Sequence, residues 1–338
     1  MKELKSSSYD FYLPNDLIAS KPANPADSAR LLVYDRKTDK IFHHIFKDLL
    51  DFIDGYCVIL NNTKVVKARI FGHKISGAKI ELLLNKPIDN DLFLVFIRGK
   101  VKIGDKLIFD EGLEAIVNKI NEDGSRVVQF IQNNVHLKTA VVFEVFDQIG
   151  HMPLPPYIHR SDEKSDETDY QTLFAKHSGS VAAPTASLHF TPEMLDKLQN
   201  KCQTSFLTLH VGAGTFKPVE CENIGEHKMH SEYFEIEDNT VKLIESNVKI
   251  LALGTTATRT IEYYKRTKKT AGECDLFLNP MNKPQRVDAI LTNFHLPKST
   301  LLMLVASFVG LEKALELYEI AIKERYRFYS YGDAMLIL

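Results

Sequence analysis

The stretch Ile250-Leu-Ala-Leu-Gly-Thr-Thr-Ala-Thr-Arg259 joins a short apolar run to a glycine turn and then to a segment with helical periodicity. We predict a buried strand over 250–253, a helix over 257–265 after it and another helix over 241–249 before it. A strand that leads through a glycine turn into a helix commonly directs backbone N–H groups at an anion. The stretch therefore predicts an α/β domain with a ligand site at the end of this strand.

A β-rich segment separates the beginning of the chain from this α/β region. Short apolar runs alternate there with glycine and aspartate turns. Closely spaced strands without helices are typical of a small β-barrel. The runs are 79–84, 92–97, 105–109 and 127–131. We predict a mixed α/β main domain formed by residues 1–67 and 150–338, into which residues 68–149 are inserted as a small β-barrel.

The overall composition is that of an ordinary globular protein, with 338 residues of which 44% are apolar and 25% are charged. The net charge of −2 excludes a global positive field. A nucleic-acid partner would therefore have to be held by local basic clusters. Such clusters lie at 64–69, 98–102 and 265–269, although each is usually only a solvated face.

The cysteines Cys57, Cys202, Cys221 and Cys274 are scattered and form no CxxC pair, which argues against structural zinc and a disulfide framework. No apolar segment of a signal peptide follows Met1, and the longest apolar stretch, near 301–309, is too short to span a bilayer. We therefore expect a cytoplasmic protein with no membrane contact, present as a monomer or a weak dimer.

Two glycine loops are candidates for ligand binding. Gly212 and Gly214 follow a strand-like run, but Phe216-Lys-Pro218 argues against the helix that a dinucleotide-binding loop requires. In the second loop, after Gly254, the guanidinium of Arg259 would lie about one turn into the helix and could pair with a carboxylate. The alternatives are an ordinary tight turn for the first loop and threonine capping of a helix for the second.

His189, His210 and His295 lie among apolar neighbours beside loops rich in glycine, threonine or proline. A single histidine in such surroundings is more often a hydrogen-bonded core residue than a catalyst, so we expect one or two of the three to be structural. The segment His227-Lys-Met-His-Ser-Glu232 has two interpretations. It could bind zinc, although its histidine spacing is not that of a zinc helix, or it could serve acid/base chemistry if it is extended.

Three further segments have local interpretations. Residues 161–169 are charged and lack apolar side chains, so we expect a mobile loop. The proline-rich segment 150–157 is stiff and should form a fixed wall or hinge. Asp288 could be a cap at the start of a strand, and Asn293 could read a base edge or ribose or stabilise a turn.

Motifs distributed along nearly the whole chain carry a resemblance to one family. They are Tyr9-Asp-Phe-Tyr-Leu-Pro14, Arg30-Leu-Leu32, Asn61-Asn-Thr63, Ala68-Arg69, Gly150-His-Met-Pro-Leu-Pro-Pro-Tyr-Ile158, Asp169-Tyr-Gln-Thr172, Ala182-Ala-Pro-Thr185, Leu188-His-Phe190, Leu209-His-Val-Gly-Ala-Gly-Thr-Phe216, His230-Ser-Glu232, Gly254-Thr-Thr256, Thr292-Asn-Phe-His-Leu-Pro-Lys-Ser-Thr300 and Arg327-Phe-Tyr-Ser-Tyr-Gly-Asp-Ala-Met335. The chain resembles the S-adenosylmethionine:tRNA ribosyltransferase-isomerase family of queuosine biosynthesis. It departs from the family pattern at Ser187 and Met281, where glycine is expected.

The resemblance implies a transferase and isomerase of tRNA modification. It implies that the ribosyl group of S-adenosylmethionine is transferred and isomerised onto 7-aminomethyl-7-deazaguanine at the tRNA wobble position, giving epoxyqueuosine-tRNA, adenine and methionine. The implied partners are S-adenosylmethionine as co-substrate and the tRNA that carries the 7-deazaguanine precursor. No other cofactor and no metal is expected. The family also implies an α/β main domain with an inserted β-barrel, in agreement with the patterns above.

Within that chemistry we assign candidate roles by residue type, because histidine suits a base and a proton donor near pH 7. The candidate catalytic residues are His189, His210, His230, Glu232 and His295. The candidates for binding S-adenosylmethionine are Gly212, Gly214, Gly254, Thr255, Thr256 and Arg259. The candidates for binding the modified base are Asp169, Tyr170, Gln171, Asp288 and Asn293, of which Tyr170 could stack on the base.

Two functions of other classes compete with this one. A methyltransferase would yield S-adenosylhomocysteine instead of adenine, but it needs a GxGxG loop that opens a helix, which the segment Gly212-Ala-Gly-Thr-Phe-Lys-Pro218 does not supply. A non-catalytic RNA-binding module would be expected to have a basic balance, and the loops rich in histidine and glycine would then be superfluous.

Overall fold

The computed structural model describes residues 2–158, 160–216 and 219–338. Its strands are β1 (Arg30–Asp35), β2 (Lys40–Ile45), β3 (Tyr56–Asn61), β4 (Thr63–Val65), β5 (Arg69–Lys74), β6 (Lys79–Pro87), β7 (Phe93–Arg98), β8 (Lys106–Phe109), β9 (Glu114–Ile120), β10 (Arg126–Gln132), β11 (Val135–His136), β12 (His177–Ser180), β13 (Thr204–Leu209), β14 (Glu232–Ile236), β15 (Lys249–Leu253), β16 (Ala271–Cys274), β17 (Ala289–Asn293) and β18 (Ala334–Ile337). Its α-helices are α1 (Thr139–Ile149), α2 (Asp166–Asp169), α3 (Pro192–Lys201), α4 (Asp238–Glu245), α5 (Gly254–Thr267), α6 (Thr300–Val309) and α7 (Leu311–Lys323).

A nine-stranded mixed sheet forms the centre of the main domain, in the order β16-β14-β13-β3-β15-β17-β18-β1-β2. The strands β13, β3, β15 and β17 run parallel to one another. They are short apolar runs, and all five residues of β17 are buried, as expected for parallel strands covered on both faces. The carboxyl ends of these strands therefore meet at one edge of the sheet.

Helices cover both faces of this sheet, since successive side chains of a strand point to opposite sides. On one side Ile250 and Ala252 pack in a core with α5, α6 and α7. On the other side Leu251 and Leu253 pack with α3 and the 3₁₀ helix Phe46–Asp51. Full burial of an isoleucine or leucine side chain, as at Ile250, Leu251 and Leu253, stabilises the fold by about 1.5–3 kcal/mol.

The inserted segment forms a closed barrel of six strands, because β9 pairs with β10 and joins the two edges of the sheet β10-β7-β6-β5-β8-β9. Along β6, Ile80, Leu82 and Leu84 point into the barrel core and alternate with more exposed residues. Helix α1 packs on the same core, where the ring of Phe146 lies 5.4 Å from that of Phe130. The barrel is thus a unit with its own apolar core.

The structure confirms the predicted fold class, a mixed α/β main domain with an inserted small β-barrel. The division at residues 68 and 149 stays a prediction. The predicted helix over 241–249 is too long at its end, because α4 ends at Glu245 and β15 begins at Lys249.

The charged segment 161–169 contains the short helix α2, which the expectation of a mobile loop did not include. The carboxylate of Asp166 is buried there and accepts two hydrogen bonds from the guanidinium of Arg160, at 2.6 and 2.7 Å. A bidentate ion pair of this kind fixes the geometry of both side chains. Within the described part of the chain, every helix is too short or too polar to cross a membrane.

Candidate active site

Two cavities lie on either side of the loop 211–215. The strand-end cavity lies at the carboxyl ends of β15 and β17. It is lined by Tyr157, Tyr170, Ala182, Ala183, Pro184, Thr185, Ala186, Val211, Thr215, Gly254, Thr255, Thr256, Thr292, Asn293, His295, Leu296, Ser299, Leu301, Tyr329 and Ser330. The junction cavity lies between the barrel and the main domain and has a volume of about 510 Å³. It is lined by Asn85, Lys86, Pro87, Ile88, Leu94, Phe96, Asp123, Thr139, Phe143, Ser178, Gly179, His210, Gly212, Gly214, His230, Ser231, Glu232, Tyr233 and Glu273.

The turn between β15 and α5 forms one wall of the strand-end cavity. Gly254 has a φ of +88°, a conformation that glycine adopts at little cost and that lets the helix begin at once. Leu253, the residue before the helix, provides no side-chain cap for its first N–H groups. The first turn, with Thr255 and Thr256, therefore presents backbone donors and the positive end of the helix dipole to the cavity.

A buried asparagine ties the strands behind this wall together. The side-chain amide of Asn61, at the end of β3, donates to the carbonyl oxygen of Leu209 at 3.0 Å and to Oγ1 of Thr256 at 3.1 Å. Its Oδ1 accepts from the N–H groups of Thr63 and Leu209. One side chain thus fixes β3, the end of β13 and the first turn of α5 relative to one another.

His189 supports the strand-end cavity from behind. It is 4% exposed, and its Nε2 lies 3.2 Å from Nδ2 of Asn293. Because an amide NH₂ group can only donate, Nε2 is the acceptor and the ring is neutral with its proton on Nδ1. Burial, with a smaller effect of Arg327, lowers the pKa of His189 to about 3. The ring therefore holds Asn293, whose Oδ1 accepts from Oγ1 of Thr185.

His295 lies in the wall of the strand-end cavity itself. Its Nε2 is 2.8 Å from Oγ1 of Thr292, and its backbone N–H donates to the hydroxyl of Tyr318. Burial lowers its pKa to about 3. His295 is therefore a neutral ring, fixed at one nitrogen, beside the space that a ligand would occupy.

His210 lies in the wall of the junction cavity. Its Nδ1 is 2.8 Å from Oγ1 of Thr63, and its ring stacks on that of Tyr233 with 5.9 Å between centroids. Burial, with a smaller effect of His177, lowers its pKa to about 4. A Cβ atom at Gly179 would lie 2.9 Å from Nε2, so only glycine leaves room for the ring there. His210 is therefore a neutral and well-oriented imidazole.

Glu232 and Arg259 form a buried ion pair beneath the loop 211–215, and each side chain is 4% exposed. Oε1 of Glu232 also accepts from the N–H of Gly212 at 2.9 Å and from Oγ1 of Thr215 at 3.2 Å. The other guanidinium nitrogens of Arg259 donate to the carbonyl oxygens of Leu276 and Cys274. Arg259 therefore pairs with a carboxylate of the protein itself, and the pair holds the loop in place.

His230, before β14, and Glu232, its first residue, both line the junction cavity together with Gly212 and Gly214. A Cβ atom at Gly214 would collide with the ring of His230. Among the described residues, no group of three or more histidine, cysteine or acidic side chains is arranged to hold a metal ion. Lys217 and Pro218, on which the argument against a dinucleotide-binding loop rested, lie outside the described residues.

The five residues predicted to bind the modified base do not lie together. Tyr170 and Asn293 line the strand-end cavity. The side-chain amide of Gln171 pairs with the backbone N–H and carbonyl of Val65, at 3.0 and 3.1 Å. Asp169 lines a separate cleft beside Lys21.

Asp288 lies at the opposite end of the sheet from both cavities. It directly precedes β17, and its Oδ2 accepts from the N–H of Ile250 at 2.8 Å and from Nη1 of Arg286. Since β15 and β17 are parallel, these contacts mark their amino-terminal ends, whereas Gly254 and Asn293 mark their carboxyl ends. The observed contacts of Asp288 are those of a cap at the start of a strand, not those of a residue that binds the modified base.

Several residues of the site carried no assignment from the sequence. The rings of Tyr157 and Tyr329 stack in the strand-end cavity with 4.1 Å between centroids. Tyr329 has a φ of +73°, which is strained for a residue with a side chain and is often found at functional sites. Asn61, Thr63 and Tyr157 lie in motifs that carried the family resemblance, as does Tyr329. Their position in these motifs was the only feature of the sequence that could have pointed to them, because their contacts are with distant parts of the chain.

Comparison with known proteins identifies relatives over the full length of the chain. The family model described as queuosine biosynthesis protein matches residues 6–337. A protein of Aliarcobacter butzleri named S-adenosylmethionine:tRNA ribosyltransferase-isomerase is 62% identical over 99% of both chains. One of the same name from Campylobacter jejuni is 58% identical and covers 100% of this chain and 99% of its own.

A solved structure is similar as well. The crystal structure of the S-adenosylmethionine tRNA ribosyltransferase of Thermotoga maritima is 34% identical, covers 98% of this chain and 100% of its own, and superposes with a TM-score of 0.55. The similarity therefore extends over both the main domain and the barrel. The chain belongs to the queuosine biosynthesis protein family, the family of S-adenosylmethionine:tRNA ribosyltransferase-isomerases that its motifs indicated.

Proposed function

We propose that the chain transfers and isomerises the ribosyl group of S-adenosylmethionine onto 7-aminomethyl-7-deazaguanine at the wobble position of a tRNA. The two cavities together are the proposed site of this reaction. The observation that carries the proposal is the loop 211–215, which borders both. Val211 and Thr215 line the strand-end cavity, whereas Gly212 and Gly214 line the junction cavity. A donor in one cavity and an acceptor base in the other would meet at this loop.

The donor is assigned to the strand-end cavity. The uncapped first turn of α5 offers N–H groups and a positive dipole to the methionine carboxylate, a role for which the sequence had suggested Arg259. The stacked rings of Tyr157 and Tyr329 offer an aromatic surface to adenine. Thr292 and Asn293 add polar groups of the kind that orient a ligand in a largely apolar pocket.

The acceptor base is assigned to the junction cavity. Its volume of about 510 Å³ is in the range of small-molecule sites. One wall is apolar, with Ile88, Leu94 and Phe96 of the barrel region, and the facing wall carries His210, His230 and Glu232. A base can reach such a cavity only after it leaves the stack of its anticodon neighbours. A cavity with one apolar wall and one polar wall suits a flat heterocycle, which has apolar faces and a polar edge.

The chemistry follows from the sulfonium of the donor, which acidifies the adjacent C5′–H bonds. A neutral base removes this proton, and the ribose ring opens as its C4′–O4′ bond breaks. The freed oxygen forms a carbonyl at C1′ as adenine takes up a proton and leaves, and the aminomethyl nitrogen of the substrate then attacks the sugar. Methionine then departs as the epoxide forms. We assign the base to His210, because it is neutral, oriented by Thr63 and in the wall of the junction cavity. Adenine takes up the proton that His210 has removed, and His295, whose ring is neutral, is the candidate hydrogen-bond partner of the leaving adenine. His189 positions Asn293.

The reaction can be tested with purified protein, S-adenosylmethionine and tRNA that carries the precursor base. We expect release of adenine and methionine in equal amounts, in the presence of EDTA. A methyltransferase would instead produce S-adenosylhomocysteine and no adenine. Release of adenine only after addition of zinc would overturn the proposal that no metal takes part.

A further inference from the structure

The loop 211–215 is held by side chains from both structural units. The N–H of Gly212 donates to Oε1 of Glu232, in the main domain, at 2.9 Å. The next N–H, that of Ala213, donates to Oδ1 of Asn85, in the barrel, at 2.8 Å. Two consecutive backbone donors are therefore fixed by two side chains from different structural units, Glu232 and Asn85.

A β-bulge directs Asn85 at this loop. The register between β6 and β7 shifts between Leu84 and Lys86, which leaves Asn85 as the extra residue. A bulge of this kind breaks the alternation of a strand and re-aims a side chain, and bulges are frequent beside active sites. Here the side chain of Asn85 points out of the barrel and comes so close that a Cβ atom at Gly212 would lie 3.0 Å from its Oδ1.

Two further contacts join the same part of the barrel to the site. Nζ of Lys86 donates to the backbone carbonyl and the hydroxyl of Ser231, at 3.2 and 3.1 Å, and pairs with Glu273 at 2.8 Å. Ala213 itself is buried in the apolar core of the barrel, together with Val181. The barrel therefore binds the loop 211–215 through a hydrogen bond and through packing, and binds the strand that carries Glu232 through Lys86.

We propose that Asn85 is a positioning residue of the reaction, through which the barrel sets the geometry of the loop between the two cavities. This inference rests on the proposed function of that loop. The amide oxygen of Asn85 fixes the Ala213 N–H, and with it the position of Gly212 and Gly214 in the wall of the junction cavity. A loop displaced by about 1 Å at a reacting centre can cost about 10²-fold in rate. The barrel would then be a part of the catalytic unit and not only an appended domain.

The test compares two variants of nearly the same shape. Asn85→Leu removes the acceptor, whereas Asn85→Asp keeps an oxygen at the same position. Asn118→Leu is the matched control, because Asn118 is exposed on β9 of the barrel and lines neither cavity. Asn85→Ala serves as a second variant without the acceptor if Asn85→Leu does not fold.

The measurements are kcat and KM for adenine release and hydrogen exchange of the peptide that contains Ala213. We expect kcat to fall at least about tenfold in Asn85→Leu, with little change in KM for S-adenosylmethionine, and to recover in Asn85→Asp to within about threefold of the wild type. Exchange at Ala213 should become faster in Asn85→Leu and stay unchanged in Asn118→Leu.

A wild-type kcat in Asn85→Leu with faster exchange at Ala213 would overturn the positioning role, and so would an equal loss of kcat in Asn118→Leu. If the wild type releases no adenine, the proposed function fails, and the exchange data still decide whether Asn85 holds the loop. In that case, unchanged exchange at Ala213 in Asn85→Leu and Asn85→Ala would by itself contradict the role of Asn85 in holding the loop.

Discussion

Glu232 and Arg259 pair as buried ions under the loop 211–215, with Glu232 bound to the N–H of Gly212 and Arg259 bound to two backbone carbonyls. Both charges are thus removed from water and are compensated by each other, by the backbone and by the hydroxyl of Thr215. Removal of one partner from such a pair leaves an uncompensated buried charge, which typically costs more than the pair contributes. The pair is therefore a sensitive point for both stability and loop geometry.

Glu232→Gln should lower the free energy of unfolding by about 3–5 kcal/mol, because the guanidinium of Arg259 stays buried without a counter-charge. Urea denaturation at pH 7 measures the loss. Glu316→Gln is the control, because Glu316 pairs with Lys313 while 50% exposed, and such a pair contributes at most about 1 kcal/mol. Equal losses in the two variants would contradict the assignment of Glu232 and Arg259 as a buried pair.

Acid should destabilise the protein in part through His189. Burial lowers its folded-state pKa to about 3 from an ordinary value of 6.5. Between these values the unfolded chain binds a proton that the folded chain does not, so stability is lost as the pH falls below about 6.5. His189→Gln should remove about 1.4 kcal/mol per pH unit from this dependence.

Urea denaturation at several pH values between 4 and 7 tests this prediction. His136→Gln is the control, because His136 is exposed in the barrel strand β11. An unchanged pH dependence in His189→Gln would show that the ring is not buried as a neutral group.

His210→Ala should reduce the rate of adenine release by about 10²–10⁴-fold, the usual contribution of a general base. The fold should survive, because the ring lies at a cavity wall and not in an apolar core. Single-turnover assays separate the rate of chemistry from binding, and His136→Ala provides the reference. Full activity of His210→Ala would remove His210 from the role of the base.

Tyr329→Ala should weaken the binding of S-adenosylmethionine at least about fivefold, because aromatic stacking contributes about 1–3 kcal/mol per base. Isothermal titration calorimetry gives Kd directly. Tyr12→Ala is the control, since the ring of Tyr12 is 83% exposed and lines neither cavity. If Tyr329→Ala binds the donor as tightly as the wild type does, adenine does not stack on the pair formed with Tyr157.

The sequence predicted those parts of the structure that depend on local pattern. The run 250–253 and the glycine after it are a strand and a helix start, because continuous apolar sequence and the freedom of Gly254 act over a few residues. The alternation in the inserted segment likewise predicted the barrel. These preferences act over a few residues, and the side chains that they predicted to be apolar and internal are buried in the folded chain.

Long-range contacts set the limits of that prediction. Whether Asp288 lies at the ligand end or the opposite end of the sheet depends on strand direction, which its neighbours do not encode. The partner of Arg259 is a glutamate 27 residues away, and the hydrogen bond from Ala213 ends on Asn85, in the other domain. No local pattern marks either of these pairs.

The fate of the donor's ribose decides whether the chain transfers a ribosyl group. Purified protein is mixed with S-adenosylmethionine labelled in its ribosyl carbons and with precursor-bearing tRNA, and both products are quantified. We expect label to enter the tRNA in a one-to-one ratio with released adenine, and methionine to carry none. Retention of the ribosyl label in S-adenosylhomocysteine, with no free adenine, would contradict it.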